Sequence, residues 1–203
     1  VDSKKEIINS VHKLHINPYF NNILVSEKMK NIASFFLEEN SVARVSEMFA
    51  KPADKGLASP IHQDNFYWCL VLANALTICL AVDPCSRENG VVSYMRGSRK
   101  LGLLPHVNSY APGSSQTVER KSIPTNLEPV SEILNSGDVL IHHSLTIHWS
   151  AANTSGKSRL AMTLQYQGES VRIDPEMLKH YESNLLMQVN MREINTASNE
   201  KNS

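Results

Sequence analysis

The sequence has almost no material for covalent cross-linking. Three cysteines, Cys69, Cys79 and Cys85, sit close together in a chain of 203 residues, and no C-x-x-C pair occurs. An odd, clustered set excludes a disulfide framework and argues against a structural zinc site. Each cysteine reads instead as a small buried hydrophobe, and a reducing, cytoplasmic compartment fits. An excess of either charge is also missing, with 20 Lys and Arg against 20 Asp and Glu. Without a global field, neither nucleic acid nor a membrane is expected as a partner. No apolar run reaches the roughly 18 residues of a membrane span, and no secretory leader is visible. The chain opens on Val1 rather than Met, so a trimmed N-terminus is expected. Alternating strand and helix units are missing too, which disfavours a parallel α/β sheet.

What remains is an ordinary globular composition, 41% apolar and 20% charged. It suits one domain with a sizeable core, expected over residues 1–194, with a polar tail over 195–203. Residues 1–40 look helical. Ser26 is a natural N-cap, and Met29, Ile32, Phe36 and Leu37 fall on one face. Strands are expected at "SVARVSEMFAK", "ALTICLAVDP", "VVSYM", "GDVLIHH", "LTIHWS" and "RLAMTLQYQ". Residues 105–130, rich in Pro, Ser, Thr and Asn, read as a long loop. A helix starts at Asp174, with Pro175 in its first position. Helices, then many strands, then a helix point to an antiparallel barrel or jelly roll braced by terminal helices.

The chemistry concentrates at "SPIHQDNFYW". On a strand, His62 and Asp64 share a face with Cα atoms roughly 6.5 Å apart. A borderline nitrogen and a hard oxygen suit Fe(II), and one more ligand completes a two-His-one-carboxylate face. That ligand is sought on a distant strand, among His142, His143 and His148. A hairpin turning at Asn153 to Gly156 sets His148 beside Arg159. Parity then gives Arg159, Ala161, Thr163 and Gln165 a small, polar, lumen-like face, and Leu160, Met162 and Leu164 a greasy one covered by helices. An arginine beside a metal histidine needs a counter-charge. A cosubstrate carboxylate supplies it through two parallel hydrogen bonds, which points to 2-oxoglutarate. Ser150, on the face of His148, adds a hydroxyl.

"HQDNFYW", "ENG", "GSRKLG" and "GDVLIHHSLTIHWSAANTSGKSR" together resemble the phytanoyl-CoA dioxygenase (PhyH-like) family of Fe(II)/2-oxoglutarate oxygenases, over roughly residues 15–168. The resemblance implies a mainly β, double-stranded β-helix fold (jelly roll, cupin-like). It implies His62, Asp64 and His148 as iron ligands, with Arg159 and Ser150 on the 2-oxoglutarate tail. It also implies dioxygen as the oxidant and hydroxylation of a small molecule, with release of succinate and CO2. Lys51 matches a recurring lysine of unassigned role. Cys79, Glu47 and Arg99 depart from the family pattern, Arg99 standing where a histidine is usual.

Several residues stay at the level of alternatives. Phe66, Tyr67 and Trp68 divide between core packing and substrate walls; Tyr67, Asn65 and Trp68 are the candidate substrate contacts. Thr77 faces the cosubstrate or satisfies a backbone carbonyl. Asn89 reads as a turn residue, Arg96 and Arg99 as solvated charge, His106 as part of a lid, and His142 and His143 as structural. Two other functions compete: a non-catalytic metal-binding barrel, and a zinc hydrolase on the same ligands, for which no glutamate stands at a suitable spacing. The substrate stays open among an acyl chain on a carrier, an amino acid and a natural-product intermediate, and the oligomeric state is unreadable.

Overall fold

The computed structural model describes residues 8–111 and 114–200, with side-chain environments described as far as residue 188. Residues 1–7, part of the stretch expected to be helical, and residues 201–203 of the expected tail lie outside the described residues. The first described element is a short strand, β1 (Ser10–Val11), rather than a helix. Helix α1 (Pro18–Leu24) follows, capped by Asn17, whose Oδ1 accepts from the Tyr19 amide at 2.9 Å. Helix α2 (Glu27–Leu37) is capped by Ser26. Its buried stripe is Ala33 and Leu37, spaced one turn apart, whereas Phe36 is 56% exposed. Adjacent helical residues point about 100° apart, so Phe36 cannot share the stripe of Leu37. It packs edge-on against Phe35 at the surface.

Thirteen strands are described in all. After β2 (Ser41–Lys51) and β3 (Ser59–His62) comes a single turn of helix, α3 (Asp64–Trp68). Next are β4 (Leu70–Val71), β5 (Ala75–Ala81), β6 (Val92–Met95), β7 (His106–Ala111), β8 (Ser114–Val118), β9 (Pro129–Ser131), β10 (Val139–His143), β11 (His148–Ser150), β12 (Arg159–Gly168) and β13 (Arg172–Ile173). The chain then enters α4 (Pro175–Glu200). The main antiparallel sheet has the order β1-β2-β12-β5-β10, and the second β3-β11-β6-β9. The mainly β, jelly-roll architecture braced by helices is the one expected.

The main sheet is two-faced. Leu76, Ile78, Met162, Leu164 and Tyr166 pack on its outer side with Leu24, Ala33 and Leu37 of the first two helices. Each of the leucine, isoleucine and methionine side chains among them contributes about 1.5–3 kcal/mol. Tyr166 fixes the arrangement by donating its hydroxyl to the Leu24 carbonyl at 2.7 Å. Arg159, Ala161, Thr163 and Gln165 alternate with these along β12 and are all buried on the inner side, as the parity of the sequence requires.

Three expectations change. First, β11 and β12 are not hairpin partners: β11 pairs with β3 and β6, and β12 with β2 and β5. The intervening loop crosses from one sheet to the other. Buried Asn153 holds it there, donating to the carbonyls of Lys51 and Lys157, each at 2.8 Å. Second, residues 105–130 contain the β7–β8 hairpin and β9. Their polar side chains hide the alternation, and they bond to one another and to the body: Gln116 Nε2 donates to Asn108 Oδ1 and Thr117 Oγ1 to the Ile61 carbonyl, both at 2.9 Å. Third, α4 begins under the Asp174 cap, as expected, but runs to Glu200, past residue 194. The segment "NTASNE" is polar yet holds no Gly or Pro to stop a helix. Among the described residues no helix is long and apolar enough to cross a membrane, and the three cysteines are buried and free.

Gly90 is a point of tight construction. Its φ is +84°, and a Cβ there would lie 2.6 Å from the Ala151 carbonyl oxygen and 2.8 Å from Lys51 Cδ. The substitution Gly90→Ala is expected to lower stability by about 1–3 kcal/mol, read as a reduced urea midpoint; an unchanged midpoint would contradict this account of the loop.

Candidate metal centre

His62 is the last residue of β3 and Asp64 the first of α3, so the pair does not lie along one strand as expected. Gln63 makes the turn. It is fully buried, and its side chain bonds to the Gly102 and Leu145 carbonyls at 2.9 and 2.7 Å and to the Leu104 amide at 2.8 Å. The turn still converges the two neighbours. His148 comes from β11, directly opposite His62 on one side and Tyr94 on the other, and the rings of His62 and His148 lie 4.1 Å apart. Of the three distant histidines considered, His148 is thus the one that joins His62 and Asp64, and their ligand atoms all lie within 4.8 Å of one another.

The tautomers are set by the backbone. His62 Nδ1 faces the Pro60 carbonyl at 2.8 Å, and His148 Nδ1 faces the Thr146 carbonyl at 2.9 Å. A carbonyl only accepts, so each Nδ1 carries the proton and each Nε2 keeps its lone pair. Those Nε2 atoms lie 3.8 and 3.6 Å from Asp64 Oδ1. Burial lowers the pKa of His62 and sends that of His148 well below the ordinary value. Burial works the other way on Asp64, but His148, the hydrogen bond from His142 and His62 outweigh it. They hold the carboxyl below the usual carboxylate range. Two neutral imidazoles and one carboxylate are the protonation states a divalent ion requires.

The second oxygen, Asp64 Oδ2, accepts from Thr77 Oγ1 at 2.9 Å and lies 3.1 Å from His142 Nε2. His142 Nδ1 in turn meets the Tyr94 hydroxyl at 3.2 Å. Sequence reasoning gave His142 a structural role and Thr77 a contact with the cosubstrate or a carbonyl; both bond to Asp64. Tyr94 was missed, since its place opposite His148 becomes visible only with the strand pairing known.

A second group of polar side chains is cationic. Arg159, opposite Lys51 in the β12–β2 ladder, is 4% exposed, and Lys51 is 6% exposed. One terminal nitrogen of Arg159 donates to the Gly90 carbonyl at 2.6 Å, while its Nε is buried without a partner. No ion pair to Arg159 exists among the described residues. Lys51 Nζ donates to the carbonyls of Leu57 and Ala151, and burial, helped by Arg159, brings its pKa down to about 8. Burial pushes the neighbouring Cys79 thiol up to about 11, against the pull of Arg159. Ser150 is buried on β11, two residues beyond His148.

The remaining candidates separate by position. Tyr67 stands edge-on to His62 at 5.8 Å, and its hydroxyl donates to the Gln116 carbonyl at 3.1 Å. Asn65 donates to the Leu70 carbonyl at 3.1 Å, and Trp68 packs with Leu70, Ala75 and Val171 beneath the Arg44 guanidinium. These two brace the helix that begins at Asp64 and are not drawn to the triad. Phe66 stacks on His106 at 4.2 Å. Asn89 serves its turn, accepting from the Ser86 amide at 2.7 Å. Glu47 meets Gln165 at 2.8 Å and His12 at 2.5 Å. Arg96 and Arg99 are exposed.

Comparison with known proteins bears on the family and the fold. The profile of the family described as Phytanoyl-CoA dioxygenase (PhyH) matches residues 1–161. The chain is 28% identical over 182 residues to phytanoyl-CoA dioxygenase domain-containing protein 1 of Danio rerio, covering 85% of this chain and 62% of that protein. It thus spans about three fifths of the length of the curated relatives it matches. Among solved structures it is similar to the epimerase SnoN in complex with Fe3+, alpha ketoglutarate and nogalamycin RO, with a TM-score of 0.70 at 17% identity over 85% of this chain and 72% of that one. It is also similar to EctD from S. alaskensis with bound Fe, with a TM-score of 0.69 at 19% identity over 84% of this chain and 60% of that one. At those identities the likeness is one of fold.

Two half-buried histidines, His106 and His143, set a pH dependence. Burial brings His106 down to about 4, and burial with Arg99 does the same to His143. Between about pH 6.5 and 4 the unfolded chain therefore binds more protons than the folded one, so stability present above that window is lost as pH falls through it. Urea midpoints of the metal-free protein are expected to drop steadily from pH 7 to pH 4.5; a flat profile would remove the assignment of these rings as neutral.

Proposed function

The chain belongs to the phytanoyl-CoA dioxygenase family, and on that premise we propose that it is an Fe(II)/2-oxoglutarate-dependent oxygenase hydroxylating a small molecule. One observation carries the reading: a largely enclosed N, N, O triad coexists with a buried guanidinium that no carboxylate pairs with among the described residues. A lone buried cation is costly. The unpartnered Nε of Arg159 is the donor that an incoming carboxylate would use. A bare metal store requires no such arginine, and neither does a zinc hydrolase.

The donor set fits the ion and cosubstrate. His62, Asp64 and His148 would hold Fe(II), two borderline nitrogens and a hard oxygen on one face. Arg159 and Ser150 would hold the far carboxylate of 2-oxoglutarate, with Lys51 adding positive charge to the same region. Once bound, Fe(II), 2-oxoglutarate and dioxygen supply the oxidising power for C–H hydroxylation, and succinate and CO2 are released. The protein's part is placement. Tyr67 walls the metal side and is held rigid by the β7–β8 hairpin, so the substrate enters against a fixed surface. Phe66 stacked on His106 closes that wall to water. Asn65 and Trp68 stiffen the helix that carries Asp64 and Tyr67. The substrate is a small organic molecule that presents a C–H bond toward the triad beside Tyr67.

Anaerobic titration with 2-oxoglutarate in the presence of Fe(II) should develop a weak visible band. Removing one charge-assisted anchor costs about 1.5–3 kcal/mol, so Arg159→Ala should raise the 2-oxoglutarate concentration for half-saturation about 10- to 100-fold. Half-saturation at the wild-type concentration in that variant would sink the cosubstrate assignment.

A further inference from the structure

Asp64 is bonded on both of its sides, and the two sides differ. Oδ1 faces His62 Nε2 and His148 Nε2 at 3.8 and 3.6 Å. Oδ2 receives Thr77 Oγ1 at 2.9 Å and meets His142 Nε2 at 3.1 Å. A carboxylate oxygen has two lone pairs, so two donors leave Oδ2 none for a metal ion. The two donors are direct register partners, Thr77 on β5 opposite His142 on β10, side by side on the inner face of the main sheet. His142 is itself held by the Tyr94 hydroxyl of the second sheet at 3.2 Å from Nδ1. Oδ2 only accepts, so Nε2 of His142 carries the proton that points at it; Nδ1 is engaged by the Tyr94 hydroxyl, and neither nitrogen is left free for an ion. The ring is buried, so water does not compete for these bonds.

We propose that Thr77 and His142, the latter oriented by Tyr94, are positioning residues that hold Asp64 as a one-oxygen ligand. This rests on the reading of His62, Asp64 and His148 as the metal ligands. Its consequence is a count of coordination positions. A carboxylate free to rotate can bind through both oxygens and fill a fourth position. Tied at Oδ2, it fills one, so the protein takes three positions and leaves three on one side, enough for a two-pronged keto acid and dioxygen together. The relay Tyr94–His142–Asp64–Thr77 also joins the two sheets across the lumen, so the position of the carboxylate reports on the spacing between them.

The test uses the purified protein without iron, with Co(II) alone as the probe. Outer partners of metal ligands are worth about 10- to 100-fold in affinity. Thr77→Val and His142→Phe, each close in shape to the residue replaced, should therefore raise the Co(II) dissociation constant at least about 10-fold. Both should also change the intensity of the cobalt visible bands as Asp64 gains freedom. His142→Gln, which keeps an N–H donor on a side chain of similar reach, should recover most of the affinity; a ring needed only for packing would not be rescued this way. Pulsed EPR of the Cu(II) form should count two imidazole ligands in both wild type and His142→Phe. Should His142→Phe not fold, Thr77→Val carries the same test. Wild-type affinity and spectrum in both Thr77→Val and His142→Phe would overturn the positioning role while leaving the triad standing. A fall from three imidazoles to two in His142→Phe would make His142 a ligand and overturn it as well. Failure of the wild-type protein to bind Co(II) at all would instead remove the triad, and the inference with it.

Discussion

A largely enclosed anion must be surrounded by donors, and Asp64 is the anion around which the interior of this protein is arranged. Its first oxygen looks toward two imidazoles whose other nitrogens are tied to backbone carbonyls. Its second is bonded from two adjacent strands. Removing water from a carboxylate costs several kcal/mol unless such bonds replace the lost hydration. The lumen can therefore be polar only because nearly every group in it has an assigned partner. Arg159 Nε and Thr163 Oγ1 are inner-face exceptions, and they lie on the same strand, β12, with the same parity. In a native interior such groups call for an explanation, and the proposed cosubstrate carboxylate would supply one for the arginine.

Part of this was readable in the chain. The H-x-D pair, the arginine eleven residues beyond His148 and the period of "RLAMTLQYQ" give the candidate ligand types, a candidate counter-charge and the inner face of β12. They do so because a two-residue period is a property of any strand, whichever neighbour it pairs with. What failed was pairing. The turn signals at Asn153 to Gly156 suggested a hairpin, but Asn153 spends its amide on Lys51 and Lys157 rather than on closing one. The bond to Lys51 spans about a hundred residues and leaves no local trace. The convergence of His62 and Asp64 was right for a different reason: a strand-to-helix turn, built by a glutamine whose partners are all distant in sequence.

The partners of His142 and the β7–β8 hairpin went unread for a related reason. Two histidines in a row on an apolar strand look alike, yet one points into the lumen and bonds Asp64, while the other accepts the Leu145 amide at 3.1 Å. Only the break in the chain at residues 144–147 separates β10 from β11 and lets His142 and His148 approach from opposite sheets. The hairpin lacks the apolar alternation that marks a strand because much of its binding to the body is polar: Tyr67, Gln188 and the Ile61 carbonyl are among its partners. A segment stabilised by side-chain hydrogen bonds looks, in sequence, like a loop.

The crossing made by residues 151–158 has a mechanical meaning. It leaves the second sheet at Ser150 and enters the main sheet at Arg159, so it fixes how far the triad's third member stands from the guanidinium. The segment behaves as a ruler cut to length, and Asn153, by folding it back on Lys51, sets the mark. Lengthening it by a single residue would shift the two ends out of step even with every ligand intact, which makes the interval between His148 and Arg159 as much a functional element as either side chain.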